Sequence, residues 1–241
     1  MHHTPASILH SFDTVRVERE RRRCDQDLDD RVLAVKRYQQ RRFLTTYADL
    51  LADPRHAQAT RFFLEEVYGP RDFSRRDRQF CSLVPTLTRI FPQRVVDTIG
   101  LMGELHALTE VLDSRVAEAA LPCGMLDARG YLRAWQRGCR PEERETQLRL
   151  VLAVGESLDA HTRVPLLRQS LQWVQRPAEA AGFGELHRML LAGYDSFRAM
   201  GSARDFLQAV AQRERRLAAR LFAADAEAAL EAGDAELGQL P

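Results

Sequence analysis

Hydrophobic residues recur at helical spacing along almost the whole of this chain. Phe80, Val84, Leu87 and Phe91 follow one another at steps of four, three and four. A second stripe consists of Leu101, Leu105, Leu108 and Leu112. No sustained alternation of apolar and polar residues, the pattern of a half-buried strand, interrupts this period. The pattern therefore predicts an all-α fold.

Proline and glycine residues divide the pattern into segments. A proline blocks helix continuation, and a glycine commonly follows a helix end. We therefore predict a single-domain helical bundle of about eight or nine helices with short Pro/Gly joints, whose core joins the fourth, sixth, eighth and ninth. The predicted helices cover approximately residues 13–51, 55–68, 75–91, 93–120, 128–138, 141–163, 165–176, 185–200 and 203–223.

Two terminal segments lack the apolar face that a packed helix needs. The first contains a block of arginines and glutamates followed by aspartates, and the last contains five acidic residues and no basic one. We predict a charged amino-terminal extension over residues 1–27, an all-α domain over residues 28–223 and an acidic, disordered tail over residues 224–241. Both terminal segments are expected to be dispensable for folding.

The charge balance excludes some classes of partner. The chain has 35 basic and 34 acidic residues, for a formal net charge of +1. This balance provides no field of one sign that would attract nucleic acid or an anionic membrane. The amino terminus has no basic segment followed by an apolar one, and no apolar run approaches the ~20 residues of a membrane span. We expect a cytoplasmic protein with neither a nucleic-acid nor a membrane partner.

Four segments carry a family resemblance. They are RFFLEEVYGPRDFSRRD at residues 61–77, GELHALTEVLD at residues 103–113, the LD and TR-x-PLL elements within residues 158–167, and FRAMGSARDFLQAVAQRE at residues 197–214. Over roughly residues 35–222 the chain resembles a family of uncharacterised all-helical bacterial proteins. The resemblance implies a helical fold. It implies no established activity and transfers no catalytic residue.

A polar group lies on the predicted fourth helix. His106, Glu110 and Asp113 continue an apolar stripe of that helix, and the first two are separated by four residues, a spacing that can place two metal ligands together. Three outcomes are open: the side chains face water, meet a cation such as an arginine of a neighbouring helix, or hold a metal. We rank them in that order because the spacing supplies at most two well-placed ligands. No catalytic or metal-binding residue is assigned.

Two charged residues fall on apolar helix faces. Asp159 is in line with leucines of the sixth predicted helix, and Arg213 is in line with Phe206 and Val210 of the ninth. A buried charge needs a partner, because uncompensated burial costs several kcal/mol. We predict that these buried charges pair with each other or with the backbone carbonyls freed near the helix break at Pro165. A more exposed helix-end position and a ligand site are the alternatives.

The connection between the second and third predicted helices alternates acidic and basic residues around aromatic ones. Alternating charge argues against a phosphate-binding loop. We expect a rigid connector with internal Arg–Asp pairs or, alternatively, a docking loop for a partner. The candidate docking residues are Tyr68, Arg71, Asp72, Phe73, Arg75 and Arg76.

No motif in the chain identifies a reaction. A nucleotide-binding glycine loop, a nucleophile elbow and a zinc-protease motif are all absent from the sequence, which argues against common enzyme classes. The favoured hypothesis is a non-enzymatic helical protein that binds a protein partner or self-associates. The alternative is a helical bundle that encloses haem, a metal or an apolar molecule. No cofactor is predicted; a haem would require a histidine such as His161 or His187.

Overall fold

Helices form nearly the whole structure. The computed structural model describes residues 2–67, 69, 73–120, 126–164, 167–173, 175–180 and 182–241. The described chain is 84% helical and has no strand, which confirms the all-α class. It contains 13 α-helices, more than the eight or nine expected. No helix in these residues has both the length and the apolar character needed to cross a bilayer.

The helices are numbered in chain order. The first seven are α1 (Pro5–Arg23), α2 (Gln26–Thr46), α3 (Ala48–Ala52), α4 (Ala57–Phe62), α5 (Ser74–Ile90), α6 (Gln93–Ala119) and α7 (Ala128–Gly138). The other six are α8 (Pro141–Thr162), α9 (Leu167–Trp173), α10 (Gln175–Ala180), α11 (Gly184–Met200), α12 (Arg204–Leu221) and α13 (Ala226–Glu231). A π-helical turn, Phe63–Val67, extends α4, and a 3-10 turn, Leu237–Gln239, follows α13.

Local caps account for much of the higher number of helices. Thr4 caps α1 and accepts a hydrogen bond from the backbone N–H of Ser7, so this helix begins earlier than expected. Asp25 caps α2 by accepting a hydrogen bond from the N–H of Leu28. Tyr47 ends α2 and precedes α3. The predicted first helix is therefore three helices. The break at Asp25 depends on one capping side chain, which does not interrupt the hydrophobic period, whereas the break at Tyr47 has no side-chain cap.

Helix α6 is central to the fold. It packs against α1, α2, α7 and α8, and α8 also packs against α11 and α12. These contacts confirm the predicted core of the fourth, sixth, eighth and ninth helices, which are α6, α8, α11 and α12. Leu105 and Leu112 of the leucine stripe are buried. The prediction omitted α1 and α2, which cover another face of α6.

The amino-terminal segment packs on the core. Ile8 and Val15 of α1 are almost fully buried against the rest of the chain. Gly103 of α6 lies opposite Phe12 of α1, and Gly100 lies opposite His3, just before α1, so a larger side chain at either position would meet this segment. The prediction of a separate charged extension over residues 1–27 is therefore wrong. Ile8, Phe12 and Val15 lie on one face of α1, and α6 provides small residues against which that face fits.

The carboxy-terminal segment is ordered as well. Leu237 is fully buried and Leu240 nearly so, in a cluster with Tyr38 of α2 and Tyr131 of α7. The expectation of a disordered tail over residues 224–241 is wrong. The two leucines belong to a 3-10 turn and its flank, which have neither the helical nor the strand period that sequence analysis detects.

Candidate functional site

The polar group of α6 lies beneath α1 and α2. Glu110 is only 2% exposed and accepts hydrogen bonds from Arg22 Nη1 at 2.5 Å and from Lys36 Nζ at 2.8 Å. Arg19 Nη2 lies 3.3 Å from the same carboxylate. Lys36 is the only lysine in the sequence. Three cationic side chains from two helices thus surround one buried carboxylate.

Two further acids adjoin Glu110. Asp113 is buried and accepts a hydrogen bond from Gln39 Nε2 at 3.2 Å. His106 Nε2 lies 2.9 Å from Asp77 Oδ2, which also accepts a hydrogen bond from Arg19 at 2.7 Å. The ionic cluster, as we call this group, consists of Arg19, Arg22, Lys36, Asp77, His106, Glu110 and Asp113.

The two buried carboxyls of α6 differ in their preferred protonation state. Burial alone would raise the pKa of Glu110, but the charges of Lys36 and Arg22 lower it below its ordinary value. Burial raises the pKa of Asp113 and outweighs the opposing effect of Lys36. Glu110 is therefore the stable negative charge of the cluster, and Asp113 is the acid that resists ionisation.

For His106, Glu110 and Asp113 of α6, the sequence leaves open whether the side chains face water, meet a cation or hold a metal. The expectation that Glu110 and Asp113 face water is wrong, because both are buried and meet cations. Their cationic partners lie on α1 and α2, far away in the sequence, so helical spacing could not identify them. Among the described residues no group of three or more His, Cys, Asp or Glu side chains is placed to hold a metal. The ionic cluster is a network that holds α1 and α2 on α6.

The two predicted buried charges are half-buried and do not pair with each other. Asp159 lies 2.5 Å from Arg163 and accepts a hydrogen bond from the backbone N–H of Ala203 at 3.0 Å. Arg213 donates hydrogen bonds to Asp49 at 2.6 Å and to the carbonyl of Thr46 at 2.7 Å. The contact with Ala203 joins the end of α8 to the start of α12, and the contacts of Arg213 join α12 to the end of α2 and to α3. Both charges have structural partners.

Only part of the candidate docking loop can be described. Tyr68, Arg71 and Asp72 lie outside the described residues. The guanidinium of Arg76 stacks on Phe73 at 3.8 Å and donates a hydrogen bond to the carbonyl of Glu66 at 3.1 Å. Arg75 is exposed. The described side of the loop is thus held against the π-helical turn, and a docking role stays a prediction.

A cavity of about 330 Å³ lies between α2, α7, α8 and α12. None of the candidate site residues that the structure describes lines it. Its wall is mainly apolar, and the π-helical turn after α4 contributes to it. The apolar wall residues are Phe43, Phe63, Leu64, Leu148, Val151, Phe206, Leu207, Val210, Leu217, Ala218, Ala219, Leu221 and Phe222.

Arg42 and Glu214 form an ion pair on the cavity wall. Arg42 donates two hydrogen bonds to Glu214, at 2.5 and 3.0 Å. The hydroxyl of Tyr47 donates a hydrogen bond to the same carboxylate at 2.6 Å. The buried guanidinium of Arg42 and the carboxylate of Glu214 therefore neutralise each other, with the tyrosine as an additional donor.

A second guanidinium on the wall has different partners. Arg144 is 8% exposed and stacks on the ring of Trp135 at 3.8 Å. It donates hydrogen bonds to Gln147 Oε1 at 2.8 Å and Cys139 Sγ at 3.0 Å. All of these partners are uncharged or weakly polar, so the positive charge of Arg144 faces the cavity without a neutralising carboxylate beside it.

Several polar atoms of the wall are buried without a hydrogen-bond partner among the described residues. They are Arg42 Nε, Arg144 Nε, Trp135 Nε1 and the hydroxyl of Tyr131. The arginine and indole nitrogens are donors only. Burial raises the pKa of Tyr131 to about 12, so its hydroxyl keeps its proton at neutral pH. Residues of the wall therefore carry buried donors for which the described residues supply no acceptor.

The histidines considered for haem lie elsewhere. His161 Nε2 is 2.9 Å from the hydroxyl of Thr98, and His187 Nε2 is 2.7 Å from the carbonyl of Leu171. Within the described wall of the cavity there is no histidine. The described wall therefore supplies no histidine that could bind haem iron.

Sequence reasoning missed the cavity because its wall is assembled from distant helices. In the sequence, Trp135 is an aromatic residue of a short helix, and Arg144 is one of several charged residues near the start of α8. Together they form one buried stack. A weak signal was present: Leu148 and Val151 follow Arg144 at four and seven residues, so one helix face begins with a cation and continues as an apolar surface.

Comparison with known proteins assigns the family. The model of a family described as a domain of unknown function (DUF8198) matches residues 18–228, most of the chain. The chain belongs to this family. The resemblance to an uncharacterised family is thus confirmed. The DUF8198 match includes every residue of the ionic cluster and of the described cavity wall.

No curated protein and no solved structure matches the chain. The DUF8198 family name carries no activity, and function has to be argued from the site itself.

Proposed function

We propose that this DUF8198 protein binds a small, mainly apolar molecule in the cavity between α2, α7, α8 and α12. The observation that carries the proposal is the cavity itself: about 330 Å³ of space with largely apolar walls and several unpartnered buried donors. Small-molecule sites have volumes of roughly 300–1,000 Å³ and combine apolar walls with a few polar groups that orient the ligand. This was the alternative hypothesis at the level of sequence.

The surroundings of the cavity support binding in preference to catalysis. The described wall contains no serine, cysteine or histidine, the residue types that most often act as nucleophile or general base. The carboxylate of Glu214 is engaged by Arg42 and Tyr47. The π-helical turn at Phe63 and Leu64 borders the space, and such turns are frequent at functional sites.

The proposed setting is the cytoplasm. Cys24, Cys81 and Cys139 are free thiols, as expected for a protein that works in a reducing compartment. The near-zero net charge supports the absence of a nucleic-acid partner.

The proposal is tested by calorimetric titration of the full chain with 1-octanol, a neutral apolar probe. We expect saturable binding at one site. Val210→Phe places a larger side chain on the cavity wall and should weaken binding at least roughly tenfold, since it removes space that the probe needs. Val17→Phe makes the same change at an exposed position of α1 and should leave binding unaltered. Absence of saturable binding to the unaltered protein contradicts the proposal.

A protein partner, or self-association, is the second candidate function. Trp173 at the end of α9 is 76% exposed, and Ile90 at the end of α5 is also largely exposed. Large exposed apolar side chains are typical of contact surfaces. If the chain self-associates through Trp173, its sedimentation coefficient should rise with concentration, and Trp173→Ala should abolish that rise. A concentration-independent value for the unaltered chain contradicts self-association.

A further inference from the structure

The charge state of the cavity wall constrains the ligand. Two buried guanidiniums line it, and only that of Arg42 has a carboxylate within ion-pair distance, that of Glu214. Among the described residues no carboxylate lies within 4 Å of Arg144. The charge of Arg144 lowers the pKa of Asp113, but burial outweighs this effect and favours the neutral form of that carboxyl. The ion-pair partner of Asp113 is Lys36. The wall therefore carries one uncompensated positive charge.

An uncompensated buried cation is costly, because it has lost its hydration without gaining an ion pair. The stack of Arg144 on Trp135 recovers part of this cost through the cation–π interaction. The hydrogen bonds to Gln147 and Cys139 satisfy two of its nitrogens but supply no negative charge. Arg144 Nε, Trp135 Nε1 and the Tyr131 hydroxyl remain as donors without acceptors among the described residues. A negative charge beside Arg144 would supply the ion pair that this guanidinium lacks among the described residues.

An apolar surface continues from this cation along α8. Leu148 and Val151 follow on the same helix face, and Leu207 and Val210 of α12 line the same cavity. From Arg144 to Val151 the helix axis rises roughly 10 Å. The arrangement matches a ligand with an anionic group at one end and a short aliphatic chain behind it.

We propose that the ligand of the cavity is a monocarboxylate with an aliphatic body, and that Arg144 binds its carboxylate. This inference rests on the proposed ligand-binding function. A single negative charge balances the single uncompensated cation, whereas the carboxylates of Glu145 and Glu214 on the same wall disfavour a dianion such as a phosphate monoester. The planar fork of arginine also suits two carboxylate oxygens.

The test compares octanoate with 1-octanol, two probes that share their chain length and differ in the charged group. Titration of the full chain should give a dissociation constant for octanoate at least roughly tenfold lower than for 1-octanol, because hydrogen bonds to charged groups are the stronger ones. Arg144→Met should bring the two constants together, because it weakens the binding of octanoate more than that of 1-octanol. Arg149→Met, which removes an exposed arginine from the same helix, should keep the preference for octanoate.

Each failure has a distinct meaning. Equal affinities of the unaltered chain for octanoate and 1-octanol overturn the inference and leave the proposed function standing. Binding of neither probe overturns both. Tighter binding of octyl phosphate than of octanoate overturns the choice of a carboxylate. If Arg144→Met does not fold, Arg144→Gln provides a second uncharged variant, and the ratio measured on the unaltered protein decides the inference by itself.

Discussion

At the scale of single residues, Glu110 is the charge on which the packing of α1 depends. Glu110→Gln would leave Arg19, Arg22 and Lys36 buried or half-buried around a neutral side chain. Removing one partner of a buried ion pair typically costs 3–5 kcal/mol, and we expect a loss of about that size in the free energy of unfolding measured with urea. Glu118→Gln is the matched control on the same helix. Its pair with Arg21 is exposed, so the loss should stay below about 1 kcal/mol.

The same residue predicts a dependence of stability on pH. The pKa of Glu110 is lower in the folded chain than its ordinary 4.5, so the folded state holds this proton less tightly than the unfolded state. The stabilisation is complete above about pH 4.5 and is lost as the pH falls toward the folded-state pKa. Urea unfolding measured from neutral pH down to acid should show this loss. In Glu110→Gln the slope should be shallower, whereas an equal slope would contradict the assignment.

At the scale of elements, the docking of α1 is tested by Gly100. The ring of His3 occupies the space that a Cβ at Gly100 would need, while a Cβ at Gly103 would meet Phe12 at 3.3 Å. Gly100→Ala should displace His3, cost roughly 1–3 kcal/mol as overpacking does, and speed amide hydrogen exchange in the first turns of α1. Gly103→Ala requires only a small adjustment. Equal exchange rates in the two variants would show that the first residues do not depend on this contact.

The carboxy-terminal turn makes a second prediction at this scale. Leu237 is fully buried in the cluster with Tyr38 and Tyr131. Leu237→Ala should therefore reduce the free energy of unfolding by about 2–5 kcal/mol, the usual cost of truncating a core leucine. Leu44→Ala, at an exposed position of α2, should change it by less than about 0.5 kcal/mol. A Leu237→Ala variant as stable as Leu44→Ala would mean that the tail does not belong to the core in solution.

At the scale of the whole molecule, the local signals in the sequence were sufficient for the fold class and for the central helices. The leucine stripe of α6 and the Pro/Gly joints depend on neighbours within a few residues. The ionic cluster depends on partners that the chain brings together from afar: Arg22 and Glu110 are separated by 88 positions. The charged run of α1 has the composition of a solvated helix, and only the fold identifies its acidic partners.

The cavity was unpredictable for a related reason. The space lies between four helices, and within one helix its trace is weak: on α8, Arg144 precedes Leu148 and Val151 on the same face. Arg144 is a helix residue in an acidic first turn by sequence, and only the arrival of Trp135 from α7 makes it a buried cation. Sequence reasoning found helices and their faces. It could not find what the faces enclose.

The stack of Arg144 on Trp135 has an optical consequence. The chain contains only two tryptophans, Trp135 on the cavity wall and Trp173 on the outside of α9. Indole emission shifts to shorter wavelength in apolar surroundings, so the two side chains should emit at different wavelengths. Trp173→Phe would leave one indole, in van der Waals contact with the guanidinium that borders the cavity. If the cavity binds the proposed ligand, the emission of Trp135 in this variant should change on titration, which would report binding without a label.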